Sequence, residues 1–357
     1  GSPYVSTSSA NVTFLLDETD FDDSAHYFRT SGDVSVLPKT ANAFGADITL
    51  GFSTDGIRNL VVGKDPLSGD TLRAVTLTGN HTVSGDIDLY SGHIYPRGNF
   101  AVTGQGEILL KALSDIATDD AARNFTTQGG DLTFWADSNA ASGGSIYIAG
   151  SSRLQTNGGD ITMAGGLDNG SSAVFGPRVA GDSRPDGFAV GRGSVANDNG
   201  VLIGVWGAAR TIQILSGGGD INIAGQSSTV VGNSRGGVAM ISGLIDAGSG
   251  KVKMRGAIDA TLLRTGLEPW LQASEVIIVE GAGAYTAVDG ERTTMARITY
   301  QRFFRRYLRL DAADGSSRIV MDAPPDKENC QPFVHVAGLM QGAGLHAPQV
   351  LDWQRED

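Results

Sequence analysis

Short stretches in which apolar and polar residues alternate recur along the chain. Each follows a turn rich in glycine or serine, and most begin with an acidic residue. Alternation with a period of two is typical of a β-strand with one buried face, and glycine-rich turns commonly precede strands. The pattern therefore predicts a strand after each turn, in phrases beginning at Ser31, Gly45, Ser84, Gly129, Gly158, Gly218 and Ser249.

The later phrases are regularly spaced. In the phrase at Gly129 the residue that begins the strand is Asp131. The corresponding residues of the next three phrases follow after 29, 60 and 31 residues, so the spacing is near 30 or its double. Weaker strands are expected between them, around 145–148, 200–203 and 210–214. Each repeat therefore holds two or three strands, as in a solenoid.

This repetition predicts an all-β fold of the parallel β-helix (β-solenoid) class, in which each strand pairs with the equivalent strand of the next repeat. The alternative, a β-sandwich, predicts two-residue hairpin turns at regular spacings, whereas the loops here are irregular. We expect an N-terminal cap or entry rung over 1–43, and repeats over 44–298 with a projecting insertion at about 167–199. A C-terminal cap and extension is expected over 299–357.

Composition narrows the possible classes. Glycine occupies 50 of 357 positions and charged residues only 18%, which excludes a coiled coil, while 40% hydrophobic residues exclude disorder across the whole chain. A net charge of −12 disfavours nucleic acid and anionic membranes as partners. We expect no transmembrane segment, and the single Cys330 offers neither an internal disulfide nor zinc-ligand spacing.

The stretch from Thr126 to Gly166, with a second match at Ser216 to Gly225 ("SGGGDINIAG"), resembles two-partner secretion exoproteins, the filamentous-haemagglutinin-like adhesins. The resemblance implies a right-handed parallel β-helix exported through an outer-membrane transporter, and a secreted or bacterial cell-surface location. The Asn-Pro-Asn motif of that family's export domain does not occur, so the chain resembles a shaft segment.

Candidate catalytic residues lie in the expected insertion. Carbohydrate-active β-helices combine carboxylates with basic side chains on one face, and Asp182, Arg184 and Asp186 offer that combination. We expect the repeated strand-entry aspartates to bind backbone N–H groups instead. No nucleophile elbow, zinc-binding helix motif or phosphate loop occurs.

Candidate binding residues are basic and aromatic. On a helix, the segment 300–310 would place its arginines opposite its aromatic side chains, either to dock on an acidic partner or glycan or to cap the last repeat. Exposed aromatic rings would stack on sugars. The predicted binding residues are Arg302, Arg305, Arg306, Arg309, Trp135 and Trp206.

An acidic cluster near the N-terminus is a candidate calcium site, because hard cations prefer several oxygen ligands. It lacks EF-hand spacing, and a solvated acidic loop is the alternative. Its residues are Asp17, Asp20, Asp22 and Asp23, and no other cofactor is expected.

The leading functional hypothesis is a non-catalytic, extracellular adhesive β-solenoid that binds a glycan, a cell-surface receptor or neighbouring copies of itself. One alternative is a polysaccharide-processing β-helix such as a lyase or a tail-spike-like depolymerase. Another is a self-assembling filament subunit.

Overall fold

The computed structural model describes most of the first 257 residues and separate segments beyond them. The described ranges are 4–6, 9–17, 20–39, 42–65, 73–141, 143–168, 184–192, 199–204, 212–227, 237–240, 243–257, 271–272, 275–280, 285–286, 292–299, 306–311, 317–322, 331–342 and 350. The chain divides into an N-terminal unit, Gly1–Gly283, and a C-terminal unit, Ala284–Asp357.

The N-terminal unit contains two long sheets. Strands of the first sheet are β1 (Tyr4–Ser6), β3 (Asp20–Arg29), β5 (Ile48–Ile57), β7 (Ala74–Val83), β9 (His93–Val102), β11 (Ile116–Ala117), β12 (Asn124–Thr126), β14 (Ile146–Ile148), β15 (Arg153–Gln155), β18 (Val201–Ile203), β19 (Ile212–Leu215), β21 (Val238–Met240), β22 (Gly243–Asp246) and β24 (Leu271–Gln272).

The second sheet alternates with the first along the chain. Its strands are β2 (Val12–Leu16), β4 (Val34–Pro38), β6 (Leu60–Val62), β8 (Ile87–Ser91), β10 (Ile108–Ala112), β13 (Leu132–Ala136), β16 (Ile161–Gly165), β17 (Ala189–Val190), β20 (Ile221–Gln226), β23 (Lys251–Ala257) and β25 (Glu275–Glu280).

All strand pairs described within these two sheets of the N-terminal unit are parallel. One passage of the chain through both sheets forms a layer, and the next passage pairs with it strand by strand. Ile87 therefore pairs with Ile108 of the next layer, and Ile108 pairs with Leu132 of the layer after that. Parallel pairing in register aligns like side chains from layer to layer. The inward residues of the second sheet are therefore a continuous, fully buried apolar row: Ile87, Ile108, Leu132, Ile161, Ile221 and Val252.

A row of rings also runs through the interior. Successive ring centroids lie 5.0–5.4 Å apart, in edge or stacked contact, a geometry that favours aromatic pairs. One member is a histidine, His81, which is 1% exposed. The row is Phe14, Phe28, Phe52, His81, Phe100, Phe125 and Phe134.

The 60-residue spacing is a single step between layers, because Ile161 pairs directly with Ile221. Part of the intervening chain, residues 184–192, lies against the second sheet, where Ala189 pairs with Gly225. The predicted domain boundaries at 43/44 and 298/299 stay predictions.

The C-terminal unit has a different architecture. Strands β26 (Tyr285–Thr286), β27 (Arg292–Thr299), β28 (Arg306–Asp311) and β29 (Ser317–Asp322) pair antiparallel in that order, and a helix, α1 (Gln331–Gly342), follows. The helix predicted over 300–310 is wrong for its described part, because residues 306–311 pair with β29 as a strand.

The predicted fold class, an all-β right-handed parallel β-helix, is wrong for this chain. The protein consists mostly of parallel sheet, but its C-terminal unit adds an antiparallel sheet and a helix, so its content is mixed α and β. The prediction failed because it extended the glycine-repeat pattern to residues that lack it.

Among the described residues, no helix is long and apolar enough to cross a membrane.

Candidate functional site

A row of polar residues, the strand-start ladder, directly precedes the strands of the second sheet. At most steps a side-chain oxygen accepts the backbone N–H of the next member, for example Asp131 from Asp160 at 2.8 Å, Asp160 from Asp220 at 2.7 Å, and Asp220 from Lys251 at 2.9 Å. Backbone donors that are partly shielded from water are stabilised by such partners. The ladder therefore fastens layers together, and it comprises Asn11, Asp33, Asn59, Asp86, Glu107, Asp131, Asp160, Asp220 and Lys251.

A glycine column accompanies the ladder. A Cβ atom at Gly130, Gly159 or Gly219 would overlap the carbonyl oxygen of the column glycine in the preceding layer. Only glycine permits this close backbone approach. The Gly-Asp phrase thus has two structural causes, layer contact and backbone capping.

Arginine and lysine side chains neutralise parts of the ladder. Arg58 lies 2.5 Å from Asp33, and this hydrogen-bonded guanidinium lowers the pKa of the carboxyl group. Arg184, a predicted catalytic residue, lies 2.7 Å from Asp131 Oδ2 and 3.5 Å from Asp160 Oδ2. Its guanidinium therefore holds residues 184–192 on the ladder.

Of the other two catalytic candidates, Asp186 is buried and Asp182 lies outside the described residues.

A carboxylate cluster lies beside the middle of the ladder. Burial, with the nearby charges of Asp86, Glu107 and Asp65, raises the pKa of Asp88 to about 7. Burial also raises the pKa of Glu107. Lys111 pairs with Asp65 at 3.0 Å. Asp88 is the carboxyl group most perturbed toward the neutral form at this face.

A buried ionic network lies on the outer side of the first sheet. Asp115 accepts hydrogen bonds from the Ser145 N–H (2.8 Å) and Oγ (3.0 Å), and from Arg192 (3.0 Å). Ser145 binds Oδ1 of Asp115, and His93 Nδ1 lies 3.3 Å from Oδ2, the oxygen that Arg192 also binds. Burial favours neutral Asp115, but hydrogen bonds from His93 and Ser145 outweigh it, so that its pKa is lowered. Arg192 further joins the network to Ser114 at 3.1 Å.

Tyr95 and Arg97 continue outward from this network along β9. The His93 and Tyr95 rings stack with centroids 6.0 Å apart, and the Arg97 guanidinium lies 5.8 Å from the Tyr95 centroid. The row combines a hydrogen-bonding imidazole, a phenol and a cation on one strand face. Such a set can bind a polar or anionic ligand.

The other predicted binding residues are not brought together. Trp135 is 1% exposed, its Nε1 donates to the Gly166 carbonyl at 2.7 Å, and Lys111 lies over its ring, so the ring is not available at the surface. Arg306 and Arg309 lie in β28. Arg302, Arg305 and Trp206 lie outside the described residues, and a binding role for the set stays a prediction.

The predicted calcium ligands are separated by secondary structure. Asp17 follows β2 and accepts the backbone N–H of Lys39 at 3.0 Å, while Asp20, Asp22 and Asp23 belong to β3. Within the described ranges, no group of three or more histidine, cysteine or acidic residues could hold a metal ion.

Sequence reasoning missed the His93–Asp115–Arg192 network. Its members are 22 and 77 positions apart, so no local motif reveals them. The signal that could have found it is layer alignment, because Ile116, which follows Asp115, pairs with Ile94, which follows His93.

Comparisons with known proteins find local similarity to sugar kinases. The chain is similar to the N-acetylmuramate/N-acetylglucosamine kinases of Pseudomonas aeruginosa (40% identical over 87 residues), Pseudomonas putida (49% over 69) and Neisseria meningitidis (48% over 48). These matches cover 24%, 19% and 13% of this chain. The chain spans only 24%, 17% and 14% of the length of those relatives. No family model matches, and neither does a solved structure.

These similarities overturn the functional hypotheses drawn from the repeat pattern. The resemblance to two-partner secretion adhesins is wrong, and so is the inferred role of a non-catalytic adhesive segment with an outer-membrane transporter, a glycan or receptor, or copies of itself as partner. The lyase and filament alternatives also lack support, because all three relatives are named as kinases. The Gly-Asp phrase misled because it reports how layers contact one another, and not what the protein does.

Proposed function

We propose that this chain takes part in phosphoryl transfer from a nucleoside triphosphate to an N-acetylated amino sugar. The observation that carries the proposal is the shared name of the three relatives, each at least 40% identical over its matched segment. Phosphoryl transfer depends mainly on positioning and on stabilising negative charge.

We place the kinase-like segment in the C-terminal unit. That unit, Ala284–Asp357, is long enough for the 69-residue match, whereas the 87-residue match is longer than the unit and would begin before it. The unit also lacks the Gly-Asp phrases of the N-terminal unit. It also contains a helix, α1, whereas the described part of the N-terminal unit consists of strands and loops.

The test is sugar-dependent release of ADP by the purified full chain with ATP and Mg²⁺. N-acetylmuramate and N-acetylglucosamine are the substrates, and glucose and a reaction without sugar are the controls. We expect ADP release above both controls with at least one amino sugar. Release that is the same with and without sugar, or no release from folded protein, would overturn the proposal.

A further inference from the structure

Two polar side-chain atoms in the core of the N-terminal unit have no hydrogen-bond partner. They are Oγ1 of Thr54 and Nδ1 of His81, and neither is bonded to any residue that the structure describes. Thr54 is 2% exposed and His81 is 1% exposed. Because nearly all buried polar groups in proteins are hydrogen-bonded, two such atoms in one place indicate a further partner.

The two residues are direct neighbours in the first sheet. Thr54 of β5 pairs with His81 of β7, and both side chains belong to the buried face of their strands. Adjacent strands of a sheet are about 4.8 Å apart, so side chains at paired positions on one face lie close together. The hydroxyl group and the imidazole are therefore within reach of one small molecule.

The imidazole of His81 needs a hydrogen-bond donor at Nδ1. Its Nε2 lies 3.0 Å from the carbonyl oxygen of Thr78, which can only accept, so Nε2 carries the hydrogen. Burial lowers the pKa of His81 to about 4, which leaves the ring neutral at pH 7. Nδ1 is then an acceptor.

The aromatic neighbours of His81 cannot supply that donor. Phe52 contacts the imidazole edge-on and Phe100 stacks on it, each with ring centroids 5.3 Å apart. The Thr54 hydroxyl can donate, but it is not within hydrogen-bond distance of Nδ1. Polar groups at such a separation are commonly bridged by a water molecule, which accepts from one group and donates to the other.

We propose that a single water molecule binds between Thr54 and His81 as a permanent part of the core. It accepts a hydrogen bond from the Thr54 hydroxyl group and donates one to His81 Nδ1. Buried waters of this kind bind polar groups that otherwise have no partner. The site does not depend on the proposed phosphoryl transfer.

Thr54→Val tests the site through the direction of its effect on stability. Valine has nearly the shape of threonine but no hydroxyl group. If water bridges the two residues, the substitution leaves Nδ1 without its donor, and the urea midpoint of the full chain should fall. If the hydroxyl group has no partner, its removal relieves an unpaired buried group. A midpoint that stays unchanged or rises would therefore overturn the proposal.

Two controls accompany this variant. Thr76→Val, at a partly exposed position of β7, should leave the midpoint nearly unchanged. In the His81→Phe background the acceptor is absent, so Thr54→Val should no longer lower the midpoint. Equal losses with and without the imidazole would contradict a bridge between the two residues.

A crystal structure of the full chain observes the site directly. We expect one ordered water within about 3.2 Å of both Thr54 Oγ1 and His81 Nδ1. A direct hydrogen bond between the two side chains, or no ordered water between them, would overturn the proposal.

Discussion

The carboxylate of Asp160 accepts the backbone N–H of Asp220, sixty positions further along the chain, at 2.7 Å. The same contact recurs along the strand-start ladder, between Asp131 and Asp160 and between Asp220 and Lys251. The repeated acid is therefore part of the scaffold, and its loss should affect stability before it affects chemistry.

Replacing Asp160 with alanine should destabilise the N-terminal unit by about 1 kcal/mol, because the partly buried backbone N–H of Asp220 loses its acceptor. Asp160→Asn keeps an acceptor oxygen and should cost less. Urea unfolding followed by tryptophan fluorescence measures both. The matched control is Asp55→Ala, at an exposed position; equal losses at the two sites would argue against the ladder.

Gly159→Ala should be among the most damaging small substitutions. The added Cβ would overlap the carbonyl oxygen of Gly130, a backbone atom that cannot rotate away. We expect a loss of about 2 to 3 kcal/mol in the free energy of unfolding. Gly45→Ala, whose Cβ would have its nearest neighbour at 3.4 Å, should be tolerated in the same assay.

Asp88 should make the N-terminal unit less stable as the pH rises. Its folded pKa of about 7 is above the value near 4 of an unfolded aspartate, so its protonated form favours folding. That contribution is complete below pH 4 and disappears as the pH passes 7. Asp88→Asn should remove this dependence and stabilise the unit at pH 8 by about 2 kcal/mol. Parallel pH–stability curves for wild type and variant would contradict this account.

His81 should make the N-terminal unit less stable as the pH falls, which is the opposite of the effect of Asp88. Burial lowers its pKa to about 4, below the value near 6.5 of the unfolded state. The neutral ring therefore favours folding above pH 6.5, and this contribution disappears as the pH falls toward 4. His81→Phe continues the aromatic row and should remove about 3 kcal/mol of acid destabilisation between pH 7 and 4. Chemical unfolding of both proteins at the two pH values checks this, and an unchanged difference would refute it.

The sequence predicted individual strands far better than their surroundings. The phrase at Gly158 becomes β16 and the one at Gly218 becomes β20, because alternation and glycine turns are local signals. In β4 the expected alternation of buried and half-buried residues is present. In β16 every residue is buried, because residues 184–192 cover the outer face and Phe188 packs on Ala164. That cover comes from a segment outside the repeat phrases whose one strand, β17, has only two residues, too short to give a periodic signal.

Contacts between side chains of different layers could not be predicted from the sequence either. His93 and Asp115 meet because one layer here is 22 residues long, whereas the repeat spacing suggested about 30. The segment from Arg306 has a pattern compatible with a helix, but pairing with β29 decides in favour of a strand. Tertiary pairing of this kind overrides local periodicity.

The measurement that tests the central claim most directly is phosphorus NMR of the full chain incubated with ATP, Mg²⁺ and N-acetylmuramate. The proposed function predicts a new phosphomonoester signal that requires both the sugar and the protein. A spectrum from folded protein that shows only ATP and its hydrolysis products, with no sugar phosphate, would contradict it.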